Sequence, residues 1–233
     1  ANNNVQQVVI GTPQVGDYIV RVRGINVPTV ASVGQRQDFA VVISGGLDFV
    51  ELYIKDNVAD TGEPPSAGTL YLSPDILVCL DNDPTMPAPN PEFGQTNYVF
   101  VRIHNRGPGT ANNATVKLYW ANPGTNLTKP FWHTDGIKAG GVDTNSQQVT
   151  VPGRTAAGEG EVVTPAFEWL PPDPDVNTHD AGHFCLFASV SHGEDPLLQE
   201  DLDGVGWDDN LAWKNVNVQD ALPDTETGMD FYV

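Results

Sequence analysis

Carboxylates crowd one stretch of this chain more than any other. Glu194-Asp195, Glu200-Asp201-Leu202-Asp203-Gly204 and Asp208-Asp209-Asn210 fall in a single loop-like segment. Calcium takes about six to eight oxygen ligands from flexible loops, and closely spaced aspartates with a glycine among them can supply several. Asp201, Asp203, Asp208 and Asp209 are therefore candidate calcium ligands. The Asp201-x-Asp203-Gly204 fragment lacks the other positions of an EF-hand loop, its glutamate included. A solvated acidic loop is the competing reading, and Asp81-Asn82-Asp83 forms a smaller cluster of the same kind. His179 and His183 stand four apart, which on a helix would put both imidazoles on one face. Here that spacing runs from a turn into a strand, so the simpler reading is two loop or strand-start histidines.

Nucleophilic hydrolysis needs a nucleophile beside a base that a third group orients. Ser44 in ISGG and Ser191 in VSHG do not sit in a G-x-S-x-G elbow. Ser191 and His192 are adjacent, and neighbours along a strand point to opposite faces. No residue is assigned a catalytic role, and the chain is expected not to be an enzyme. Trp132 in PFWHTD and Trp207 in GVGWDDN fall in loops next to carboxylates. Such rings can stack on sugars, a cell-surface glycan for example, or pack down as plugs over the ends of a sandwich.

Charge narrows the partners. Lys and Arg number 11 against 30 Asp and Glu, a formal net charge of -19. Nucleic acid and anionic membrane surfaces repel such a polyanion. No apolar run approaches the roughly 20 residues of a membrane span. The 23 glycines and 19 prolines suit many short strands joined by turns. No basic, apolar leader stands at Ala1, so any signal segment is expected to lie upstream or to have been removed. The composition favours an extracellular, secreted or cell-surface protein. Cys79 and Cys185 permit one disulfide or two thiols. Cys185 alternates out of phase with Phe184, Leu186 and Ala188, so two separate thiols are expected.

The elements that must position these residues are strands. Asn97–Asn122 holds two alternating apolar runs, Tyr98–Ile103 and Ala114–Trp120, split by turn formers at Gly107, Pro108, Gly109, Asn112 and Asn113. Val99, Val101 and Ile103 share one face, and so do Val116, Leu118 and Trp120, with Lys117 and Tyr119 opposite. His104 and Arg106 follow the first run, where it is expected to meet solvent. Further strands are expected at Phe49–Ile54, Asp75–Leu80, Gln147–Val151, Val162–Leu170, His183–Val190 and Leu211–Val218. No helix of useful length is expected. About seven strands with turn signals between them predict an immunoglobulin-like β-sandwich over 49–221.

Before it, Val5–Ile10, Tyr18–Arg23 and Phe39–Ile43 read as three strands, too few to close a sandwich. Residues 1–48 are thus expected to form a partial, jelly-roll-like β-sandwich module. NNNVQQVVI, GDYIVRVRGINVP and QDFAVVISGG there resemble the end of the β-sandwich that follows the catalytic domain in secreted bacterial subtilisin-like proteases. Asn4-Val5, Gly16, Tyr18, Val20, Val22, Gly24, Asn26-Val27-Pro28, Phe39-Ala40 and Ser44-Gly45-Gly46 carry the match, which covers residues 1–46. That resemblance implies a protease upstream of Ala1, and none of its catalytic residues transfers to this chain.

The second module also has a family likeness. PEFGQTNYVFVRIHNRG, ATVKLYWAN, GHFCLFASV and DDNLAWKNVNV resemble bacterial cell-adhesion-related immunoglobulin-like domains over residues 49–219. Asn97, Asn105-Arg106-Gly107, Leu118, Trp120, His183-Phe184-Cys185, Asn210 and Ala212-Trp213 carry it. The chain departs from the lean form of that family in long loops at 60–70, 81–95 and 125–147. The resemblance implies adhesion, spacing or assembly rather than catalysis. Residues 222–233 form a polar tail ending in Met229–Val233, a short alternating segment that could open a further module. It could also add a strand to a neighbouring subunit. Three functions stay open: accessory adhesive or spacer modules, a subunit of an extracellular fibre built by β-strand exchange, and a carbohydrate-binding module. In the first two the partner is another protein, or copies of the chain supplying β-strands.

Overall fold

A computed structural model of the chain describes residues 8–10, 20–21, 41–42, 48–124, 128–176, 182–198 and 204–220. Two compact units divide between Gly45 and Gly46. Most of the first lies outside the described residues, as do the bulk of its three expected strands and the whole 222–233 tail.

The second unit is an all-β, immunoglobulin-like sandwich. Its strands are β1 (Leu52–Tyr53), β2 (Ile76–Cys79), β3 (Asn97–Asn105), β4 (Ala111–Ala121) and β5 (Ile137–Ala139). They continue with β6 (Ser146–Val151), β7 (Gly160–Val163), β8 (Phe167–Trp169), β9 (His183–Ser191) and β10 (Leu211–Asn217). Helical structure among the described residues is confined to short 3-10 turns, among them Lys129–Phe131 and Pro174–Val176. All named strand pairings are antiparallel.

β3 organises one sheet. Along one edge it pairs with β1 at its end and β2 further back; along the other it pairs with β7 and then β8, to which β5 adds. The second sheet runs β10-β9-β4-β6. The two apolar runs of 97–122 therefore lie in different sheets, and their turn carries the chain across the sandwich. Alternation placed their inner faces correctly: Val99, Val101 and Ile103 meet Val116, Leu118 and Trp120 in one core. Phe167, Trp169 and Phe184 are fully buried there. Each such side chain contributes about 1.5–3 kcal/mol by leaving water.

Three expectations need correction. Val162–Leu170 is two strands, because Pro165 has no ladder donor. Thr164 bridges the gap, its hydroxyl accepting the Val101 N–H at 3.0 Å. β5 was not foreseen; it is three residues long and bounded by Gly136, Gly140 and Gly141, all with positive φ. His104 and Arg106 do not run out into solvent, their side chains being 8% and 15% exposed. The loop 49–63 and the β7 end close over them.

Each sheet also carries a smaller outer cluster. Tyr119, Trp132, Cys185, Phe187, Val205 and Leu211 pack on the outside of the four-stranded sheet. Leu77, Cys79 and Phe100 pack on the outside of the other. Cys79 and Cys185 are free buried thiols in these separate clusters. Burial pushes the Cys185 thiol up to about 11, so it behaves as a small apolar group.

Candidate functional site

The end of β3 gathers the charged side chains of the sandwich. Asp75, 1% exposed, stands at the entry to β2. One of its oxygens accepts the Lys55 N–H and meets His104 Nε2, each at 2.9 Å. Its other oxygen lies 3.5 Å from Arg102. The Tyr53 ring stacks on His104 with centroids 4.8 Å apart. The Tyr53 hydroxyl donates to Glu159 at 2.6 Å, and burial with that carboxylate raises the phenol well above its ordinary value. Lys214 extends the group from β10, its Nζ donating to the Ile76 carbonyl at 2.8 Å. Burial lowers the Lys214 ammonium, and Asp75 counters part of that.

One residue further along, Arg106 cross-ties three segments. It pairs with Glu51 at 3.1 Å, with Asp209 at 3.5 Å and with Glu63, while its guanidinium lies 5.7 Å from the Tyr53 ring centre. Phe49, Glu51, Thr61, Glu63, Arg106 and Glu159 border a cleft of about 420 Å³. Asp209 is nonetheless pushed up to about 7, by burial first and then by Glu51 and Asp195, with Arg106 opposing.

The asparagines of the quoted motifs turn inward to the backbone. Asn105 accepts the Glu51 and Gly107 N–H groups and donates to the Gly109 and Pro152 carbonyls. Asn97 fastens the loop before β3 by accepting the Glu92 N–H at 2.7 Å and donating to the Glu92 carbonyl. Asn210 donates to the Leu52 carbonyl and to Asp195, whose carboxylate accepts the Leu52 N–H at 2.6 Å. Every buried amide needs such partners, so these contacts knit loops to strands.

The loop after β1 holds a different arrangement. Asp60 accepts the Asp56 N–H at 2.9 Å and the Gly62 N–H at 2.8 Å. Gly62 has a φ of 72°, and a Cβ there would meet the Tyr53 ring at 2.6 Å, so only glycine fits. Asp56 is 1% exposed, and neither of its carboxylate oxygens has a hydrogen-bond partner at bonding geometry. Burial raises Asp56 to about 7; the nearby Ser66 hydroxyl opposes this and Asp60 adds to it.

The residues singled out in the sequence do not converge. Asp201, Asp203 and His179 lie outside the described residues, as does Ser44. Asp208 accepts the Leu198 and Asn210 N–H groups, whereas Asp209 faces Arg106. Asp83 is held by the Thr85 hydroxyl and N–H, which lower its carboxyl. Among the described residues, no three His, Cys, Asp or Glu side chains gather as a metal-holding group. His192 is tied into a turn, its backbone N–H bonded to Asp195 and its ring accepting the Glu194 N–H at 3.3 Å. Trp132 is a plug: it stacks on Phe187 at 4.4 Å and touches Tyr119, leaving 8% exposed. Trp207 is 71% exposed in the turn before β10. Asp56, Asp60, Asp75 and the Arg106 cluster were missed. The Asp56-x-x-x-Asp60-x-Gly62 spacing was the available signal, and its carboxylates are too few to stand out by density.

This architecture defines a β-sandwich built on two antiparallel sheets. No family model matches the chain, and no curated protein matches it. Among solved structures it is similar to the CARDB domain of the PF1109 protein from Pyrococcus furiosus, determined in complex with di-metal ions. Identity is 16% and the TM-score 0.32, over 62% of this chain and 92% of that one.

Proposed function

We propose that the chain is a non-catalytic extracellular region whose β-sandwich serves adhesion, spacing or assembly. The carrying observation is the inward direction of its motif residues. Asn97, Asn105, Arg106 and Asn210 bind the protein's own backbone and carboxylates, as a load-carrying scaffold requires. A place after the catalytic domain of a secreted subtilisin-like protease belongs to the same reading and rests on the resemblance of residues 1–46. Incubation of the folded chain with a fluorophosphonate probe and with chromogenic esters and glycosides should give no labelling and no turnover. Stoichiometric labelling of one serine would overturn the reading.

A second reading, sugar contact, is favoured by the exposure of Trp207 alone, since Trp132 is packed. Assembly by strand supply draws on Val8, Val9 and Val42, which are exposed among the described pieces of the first unit. Another polypeptide, or a second copy, would be the partner that covers them.

A further inference from the structure

Asp56 is a buried carboxylate whose two oxygens have no hydrogen-bond partner at bonding geometry. Transferring a charge from water to an apolar interior is costly unless a partner neutralises it. Asp56 has 1% exposure, two unpartnered oxygens and a second buried carboxylate, Asp60, beside it at 8% exposure. The loop fixes that pairing: Asp60 is held by the N–H groups of Asp56 and Gly62, so it cannot swing away without breaking both bonds. The loop is itself anchored, Ser66 N–H bonding the Gly206 carbonyl at 2.7 Å and Asn57 Nδ2 the Ala67 carbonyl at 2.9 Å. Two adjacent carboxylates, a hydroxyl and a rigid polar loop are the ingredients of an oxygen-ligated cation site.

We propose that the loop from Asp56 to Ser66 binds a divalent cation, calcium by its chemistry. Both Asp56 oxygens are ligands, and the Asp60 carboxylate and Ser66 hydroxyl add to the protein's share. All these donors are hard oxygens, which suit calcium or magnesium rather than zinc. Calcium accepts irregular sets of about six to eight oxygens, so backbone carbonyls and water would complete the set that these side chains begin, whereas magnesium demands near-octahedral geometry. The cation would neutralise both acids and pin the 56–66 loop against Tyr53 through Gly62. Its carboxylates, Asp56 and Asp60, are not those of the 194–210 acidic segment, and the proposal holds whether or not the chain is adhesive.

The test is thermal unfolding of the full chain in excess chelator, then in calcium and in magnesium, with terbium luminescence as a direct binding readout. Wild type should gain roughly 5–10 °C at a hundredfold calcium excess over the dissociation constant. Asp56→Asn should lose that gain and the terbium signal, and Asp60→Asn should weaken both. The double variant Asp201→Asn/Asp203→Asn should keep both. Three results would overturn the proposal. One is a wild type indifferent to all three cations, which would mean that Asp56 is held as a neutral acid. Another is a calcium response retained in Asp56→Asn. The third is a response lost only in the 201/203 variant. Should Asp56→Asn fail to fold, Ser66→Ala with Asp60→Asn supplies the comparison, and an undiminished calcium response there also refutes the site.

Discussion

Asp75 and Asp56 share an exposure of 1%, yet the fold treats them oppositely. Asp75 is met by a backbone N–H, an imidazole nitrogen and a guanidinium, and it links β2 to β3. Asp56 has no hydrogen-bond partner at bonding geometry, only the nearby Ser66 hydroxyl, and it faces a second acid. Burial alone therefore does not say whether a carboxylate stabilises. Partners decide the sign: a satisfied acid leaves orphans behind when removed, whereas an unsatisfied one relieves the fold when neutralised.

The largest expected effect tests the satisfied member. Asp75→Ala strips the Lys55 N–H, His104 and Arg102 of a shared acceptor in a buried setting. The cost should be roughly 3–5 kcal/mol in urea unfolding, with an unchanged slope on denaturant. A loss below about 1 kcal/mol would mean that water replaces Asp75 freely, and the contrast with Asp56 would collapse.

Next in size is the pH response, which runs against the habit of carboxylates. Asp56 and Asp209 stand at about 7 in the folded chain against an ordinary value of 3.8. Asp195 is raised in the same direction. Between those values the folded protein holds protons that the unfolded chain has released, so stability falls as pH rises from about 4 to 7, then levels. For Asp56 the share is on the order of 2–4 kcal/mol. In chelator, Asp56→Asn should match wild type near pH 4 and exceed it near pH 7.5, with a shallower decline between. Part of the slope should persist through Asp209. Identical pH profiles for wild type and variant would show that Asp56 does not titrate in this window.

The same pair shows what could be read from the chain. Strand faces are legible in the sequence because β-branched and aromatic residues alternate, which assigns Val99, Val101, Ile103 and Val116, Leu118, Trp120 to the core they occupy. Sheet membership is not, since periodicity does not say which strands pair, and the split at Pro165 depends on Thr164 finding Val101. The site was misjudged for a related reason. Carboxylate density pointed to 194–210, where Asp208 has donors in Leu198 and Asn210. The strained carboxylate lies in 56–62, where few acids stand but tertiary packing removes water from one. Density is a property of the sequence; desolvation belongs to the fold.

The smallest expected effect concerns Trp207, which neighbours two aspartates with different fates. Asp208 orders the turn by accepting the Leu198 and Asn210 N–H groups, and Asp209 is set by burial, Glu51, Asp195 and Arg106. The indole, 71% exposed, figures in none of those contacts. Trp207→Ala should change stability by no more than about 0.5 kcal/mol, as surface substitutions do, and should leave the pH profile as it is. Any loss of glycan or protein binding in that variant would then report a direct contact of the ring. A shifted pH profile would show instead that the indole shields Asp209. In that case the acid's raised value would belong to the turn before β10 rather than to the Arg106 cluster, and binding lost with Trp207 could not be separated from a rearranged loop.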